Sequence, residues 1–90
     1  MASSKSLQVE VVSHEGRLCH GAALSVRIPT VDVALGILPG RQPLLAQLGE
    51  GTVTVTRADE VVSFEVNGGF ASVDFDFVTL VADSATVAAQ

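Results

Sequence analysis

With one cysteine, Cys19, in a chain of 90 residues, no internal disulfide can form. A metal cage built on cysteines is excluded for the same reason. Tryptophan and tyrosine are absent, and with them go the side chains that most often line sugar-binding and base-stacking sites. Cations are few, five Lys and Arg against ten Asp and Glu, for a net charge of −5. Binding nucleic acid takes clustered Lys and Arg to neutralise phosphates. Here Lys5, Arg17, Arg27, Arg41 and Arg57 are scattered, so no nucleic-acid partner is expected. No apolar run reaches the ~20 residues that cross a bilayer, and direct bilayer insertion is not expected either. Residues 1–6 carry no hydrophobic stretch of the secretory type. The expectation is a cytosolic chain, or one tethered to something cytosolic.

Apolar residues, by contrast, are plentiful. They make up 48% of the chain and charged residues only 17%, which is too apolar for a disordered segment. Ninety residues make one domain at most. A domain of this size buries only roughly 60–65% of its unfolded surface. Much of the apolar content must stay near the surface, a hint of a partner.

The dominant pattern is alternation. Leu7-Gln8-Val9-Glu10-Val11, Leu24-Ser25-Val26-Arg27-Ile28 and Thr52-Val53-Thr54-Val55-Thr56 each alternate with period two, the mark of half-buried strands. In the third, valines point one way and threonines the other. Val62, Phe64 and Val66 share one face of a returning strand after the polar connection Arg57-Ala58-Asp59-Glu60. His14-Glu15-Gly16 reads as a turn, residues 17–20 as a short strand closed by Gly21, and Pro29 as a strand end, since it has no amide hydrogen to donate. Asn67-Gly68-Gly69 is a strong turn signal because positive φ costs glycine nothing. Residues 70–73 and 78–82 complete the series. Strand-length segments punctuated by turns predict an all-β sandwich or small barrel.

The alternation fails between Pro29 and Leu48. Leu35-Gly36-Ile37-Leu38-Pro39-Gly40 is followed by Arg41-Gln42-Pro43-Leu44-Leu45. Prolines here pre-set φ and remove donors, and glycines permit bends. Two readings fit: a hydrophobic crossover between two sheets, or a surface shaped for docking another protein.

Little chemistry is written in the chain. His14, Glu15, Cys19 and His20 straddle a turn and a short strand with no second ligand pair, so they do not make a zinc site. Cys19 and His20 are strand neighbours and point to opposite faces. They cannot form a nucleophile–base pair, and Cys19 reads as a packing residue. No G-x-S-x-G elbow, P-loop or dinucleotide-binding glycine pattern occurs. Glu10 and Glu65 alternate with apolar residues as solvated positions, and Asp74 and Asp76, flanking Phe75 in a hairpin turn, read as solubilising. No catalytic residue, cofactor or metal is expected. A binding or coupling module is favoured over an enzyme.

The string LGILPGRQPLLAQL, residues 35–48, closely resembles the LGILPGHAPLL signature of the epsilon subunit of bacterial F-type ATP synthase, called delta in mitochondria. LQVEVVS (7–13) resembles that family's opening strand, VNGGF (66–70) its V-x-G-G-F turn, and VTLVADSA (78–85) its V-T-V-L-A-D-x-A ending. The resemblance implies an all-β fold, a roughly ten-stranded β-sandwich of two antiparallel sheets at the foot of the rotating central stalk. It implies a domain over residues 7–85 between a flexible segment 1–6 and a short tail 86–90. The implied partners are the gamma subunit and the c-ring of the membrane sector, within the whole synthase. The implied role is to couple ring rotation and proton transport to ATP synthesis, without catalysis, as a peripheral protein on the cytoplasmic face of the bacterial plasma membrane. A free-standing β-sandwich protein-binding module is the alternative.

Contact residues transfer only where the motif matches. The family's loop before LGI faces the c-ring and commonly holds a carboxylate pair around a glycine. Asp32 fits the first acid, while Val33 and Ala34 replace the glycine and the second acid. Arg41 stands for the family's histidine, a longer and permanently charged donor. Gly36, Pro39, Gly40 and Pro43 match, so Asp32, Gly36, Pro39, Gly40, Arg41 and Pro43 are the expected c-ring and gamma contacts. Family members usually continue past this ending with a helical hairpin that can inhibit ATP hydrolysis and in some members binds ATP. With residues 86–90 alone following, neither hairpin inhibition nor that nucleotide site is expected.

Overall fold

The computed structural model describes residues 6–40 and 42–87. These form ten strands: β1 (Leu7–Ser13), β2 (Gly16–Ala23), β3 (Ser25–Pro29), β4 (Ala34–Ile37), β5 (Leu44–Gln47), β6 (Glu50–Thr56), β7 (Val61–Asn67), β8 (Gly69–Asp74), β9 (Phe77–Ala82) and β10 (Ala85–Val87). They lie in two five-stranded sheets, a first sheet ordered β2-β1-β9-β8-β5 and a second ordered β10-β7-β6-β3-β4. Pairing is antiparallel except between β1 and β9, which run parallel with Val9 opposite Val78. The all-β sandwich is the expected fold. Its last strand pairs Ala85–Val87 with β7, so the sheet runs on past the boundary expected at residue 85.

The period-two pattern explains the core. Val9 and Val11 of β1, Val53 and Val55 of β6, Phe64 and Val66 of β7, Ala71 and Val73 of β8, and Val78 and Leu80 of β9 are all buried between the sheets. Burying one such Val, Leu or Phe side chain contributes about 1.5–3 kcal/mol. Among the described residues no polar or charged residue is buried as a whole, and one buried polar side-chain atom, Arg57 Nε, has no hydrogen-bond partner.

Two local expectations change. The second strand does not close at Gly21 but continues to Ala23, with Gly21 opposite Val9. Gly21 has a φ of 137°, and the Arg57 guanidinium passes over it, 3.6 Å from where a Cβ would sit. A Cβ there would make only ordinary contact with the arginine, so it is the positive φ that calls for glycine. That guanidinium donates from Nη2 to Cys19 Sγ and to the His20 carbonyl, both at 3.1 Å. Because Cys19 belongs to β2 and Arg57 follows β6, the contact ties the two sheets together along one side. Cys19 is buried and His20 exposed, as the strand period requires.

The second change lies between Pro29 and Leu48. This stretch is a crossover, as one reading had it, yet it also holds two short edge strands, β4 in the second sheet and β5 in the first. Ile37 and Leu48 are buried while Leu38 and Leu45 are exposed. A segment that covers the core with some of its leucines and offers others to solvent serves both readings. The Asn67-Gly68-Gly69 turn likewise carries the chain from one sheet to the other rather than closing a hairpin within a sheet.

Candidate functional site

The residues singled out in the sequence do not converge on one spot. They fall at opposite ends of the sandwich, because β4 runs between them. At a strand rise of about 3.3 Å per residue, the four residues of β4 alone hold the two ends roughly 10 Å apart.

At one end lies the β3–β4 loop. Thr30 organises it: its hydroxyl accepts from the Asp32 and Val33 amides, at 3.2 and 3.0 Å, and donates to the Val33 carbonyl. The Thr30 amide donates to the same carbonyl at 3.1 Å. Such side-chain bonds let a threonine build a tight turn without help from the rest of the fold. The turn presents Asp32 to solvent between Val31 and Val33, which are 60% and 67% exposed. A single carboxylate in an apolar surround is the outcome of the Val33 and Ala34 departures. Gly49 buttresses this loop from behind. A Cβ there would stand 2.8 Å from the Thr30 carbonyl oxygen, and its amide donates to the Pro29 carbonyl at 2.9 Å.

The opposite end carries the Leu38-Pro39-Gly40 bend, with the β8–β9 hairpin beside it. The Gly40 amide donates to Asp76 Oδ1 at 2.9 Å, and the Gln8 amide donates to the Asp76 carbonyl at 2.7 Å. Asp76 therefore anchors the crossover, a role beyond the solubilising one read from its surroundings in the chain. The contact spans 36 residues, so nothing local announces it. Gly40 has a φ of 85°, a backbone that favours glycine, and Pro39 and Pro43 frame it. Arg41 lies outside the described residues. An Asp76→Ala chain is expected to lose about 1 kcal/mol of stability. Faster hydrogen exchange at the Gly40 amide, with the core amides speeding up by about fivefold, checks this.

A feature that sequence reasoning missed is the outer face of the first sheet. The register places Phe70 beside Val81, Leu45 beside Ser72, Phe77 beside Asp74, and Val81 beside Val12. Leu45, Phe70, Phe77 and Val81 are 71%, 57%, 64% and 48% exposed. Diagonal neighbours on such a face lie about 7–8 Å apart, within reach of aromatic side chains, so Leu45, Phe70 and Val81 form one apolar patch, while Phe77 stands apart beside Asp74 with Thr79 between it and Val81. The outer face of the second sheet differs. Thr52, Thr54 and Thr56 of β6, Ser63 of β7 and Arg27 of β3 point outward there. Contiguous exposed apolar surface marks a binding site more often than scattered residues do. The signal was present in Leu45, Phe70 and Val81, but separate strands carry them and only the register joins them.

Among the described residues, no group of three His, Cys, Asp or Glu side chains is placed to hold a metal ion. No helix there is long and apolar enough to cross a membrane.

The family described as "ATP synthase, Delta/Epsilon chain, beta-sandwich domain" matches residues 6–88. An ATP synthase epsilon chain of Micrococcus luteus is 48% identical over 80 residues, covering 88% of each chain. The ATP synthase epsilon chain 2 of Ralstonia nicotianae is 49% identical over 81 residues, 88% of this chain and 58% of that one. Among solved structures, a chain of the Euglena gracilis mitochondrial ATP synthase assembly OSCP/F1/c-ring superposes with a TM-score of 0.86 at 19% identity. It covers 97% of this chain and 56% of its own.

Proposed function

The chain belongs to the ATP synthase delta/epsilon family of beta-sandwich domains, and from that premise we propose that it works as the central-stalk epsilon subunit of an F-type ATP synthase. It is a non-catalytic coupling part: it binds gamma and rests on the c-ring, so that ring rotation and the proton movement driving it are linked to ATP synthesis. It acts as a peripheral protein on the cytoplasmic face of the bacterial plasma membrane.

The observation that carries this reading is the division of the surface. One outer sheet face carries an apolar patch of Leu45, Phe70 and Val81, and the end bearing Asp32 is a self-bonded turn. A torque-bearing part needs a broad dry contact on its shaft and a stiff foot on its ring. The apolar face fits gamma, together with the bend at Pro39, Gly40 and Pro43, and the Asp32 turn fits the polar loops of the ring. Gly36 and Arg41 belong to the same proposed contacts. A stiff sandwich suits this work because strand pairing and core packing leave few soft degrees of freedom. The matches to epsilon chains favour the stalk subunit over a free-standing binding module.

Reconstitution tests the proposal. Cognate synthase depleted of this subunit is expected to take up the chain stoichiometrically and to regain proton-driven ATP synthesis. A chain that neither co-purifies with the depleted complex nor raises synthesis overturns the proposal.

A further inference from the structure

The β8–β9 hairpin turns through two residues, Phe75 and Asp76, between the paired Asp74 and Phe77. Phe75 has a φ of 55°, and every other described residue with positive φ is a glycine. A left-handed backbone presses Cβ against a neighbouring carbonyl oxygen, so a bulky residue there is strained. In a two-residue hairpin connection, a first central position with positive φ is a place for glycine. Nothing inside the chain offsets the strain. The Phe75 side chain is 71% exposed and takes no part in the core. One residue therefore bears two costs, a strained backbone and an aromatic side chain in water. Such backbone outliers cluster where a ligand or partner is held. The tip is also fixed in place. Next to Phe75, the Asp76 carboxylate accepts from the Gly40 amide and the Asp76 carbonyl from the Gln8 amide.

We propose that Phe75 is an anchor residue whose side chain enters an apolar pocket on the gamma subunit. The proposal rests on the stalk reading above and names a contact outside the patch and bend already assigned. The place of the tip decides the occupant. Phe70 of β8 and Val81 of β9 are paired within the patch assigned to gamma. The same two strands run on from that pair to the tip, a distance of about 13 Å. The tip in turn bonds to Gly40, in the bend assigned to gamma. A partner that covers both patch and bend passes over Phe75. The Asp32 turn, assigned to the c-ring, stands at the other end of the sandwich. An aromatic side chain held on a fixed turn loses little freedom on docking, which is what an interface anchor requires.

Two measurements test the anchor separately from the stalk reading. The first compares native, Phe75→Ala and Phe75→Gly chains for affinity to cognate synthase depleted of this subunit. Both variants are expected to bind about 30-fold more weakly. Phe75→Gly is nevertheless expected to hold its melting temperature or raise it by up to about 5 °C, because glycine relieves the strain. Affinity falling while stability holds or rises is a result that a packing residue does not give. In the second, benzoylphenylalanine replaces Phe75 in the reassembled synthase, and irradiation is expected to join the chain to gamma. If the native chain binds and both variants bind as tightly, Phe75 is not an anchor. Capture of another subunit, or of none, by a chain that has bound overturns the proposal equally. If the native chain itself does not bind, the stalk reading fails and the anchor fails with it.

Discussion

Gly69→Ala is expected to leave the chain without its native sandwich. An added Cβ would stand 2.0 Å from the Val81 carbonyl oxygen and 2.8 Å from the Ala82 Cα. Both are backbone atoms of the adjoining strand, so no rotamer change can relieve the clash. The φ of 119° at Gly69 is a region that L side chains rarely adopt. Relief would need the β8–β9 ladder to part at its first pair, Gly69 with Ala82. The same movement would pull on the Leu48 amide, which donates to the Gly69 carbonyl at 2.9 Å. Clash and strain together place the cost above about 4 kcal/mol, a large part of the stability of so small a domain. Circular dichroism and a denaturant titration check this: the strand signal or the cooperative transition is lost. A cooperative transition near that of the native chain would show that this corner yields.

The second large effect concerns assembly. A Leu45→Asp, Phe70→Asp chain is expected to fold and yet to lose its place in the complex. Both side chains point outward on the first sheet, with Leu45 beside Ser72 and Phe70 beside Val81. Neither is part of the buried core. Each change lowers stability by no more than about 1 kcal/mol, the span of strand propensities. Each also sets a carboxylate against a surface meant to be dry. Central interface residues commonly cost 2 kcal/mol or more on truncation, so the pair is expected to weaken binding to gamma by at least about 100-fold. Pull-down with the cognate gamma subunit, beside a melting curve for the variant, checks it. Unchanged gamma binding would move that contact off this face.

Most of the fold was readable because burial on one side of a strand imposes a period of two on the chain itself. Val53 and Val55 against Thr54 and Thr56, or Phe64 and Val66 against Ser63 and Glu65, state which side is core before any partner strand is known. The misread places share a different cause. Gly21 marks a positive-φ residue inside a strand that continues to Ala23, not a strand end, and the pairing that carries the strand on comes from Leu7–Val9, remote in the chain. The two short strands inside the crossover have four residues each, too few to establish a period. Their edge positions are set by the pairing of Ile37 with Val26 and of Leu44 with Val73.

The candidate contacts divide in the same way. The bend at Pro39 and Gly40 was legible because backbone-restricting residues announce themselves. Asp32 was legible as a loop carboxylate, though not the Thr30 hydroxyl that shapes its turn. Asp76 looked like a solvated acid until the fold brought Gly40 to it.

What the amino-acid order settled alone is the strand content, the valine-rich interior and the places where the backbone must bend, since each follows from forces acting within a few residues. Which edge each short strand joins, which outward side chains gather into an apolar patch, and which loop acid anchors the crossover were decided only by tertiary structure. Those properties depend on pairing register between distant segments, where a shift of one residue turns every side chain to the other face.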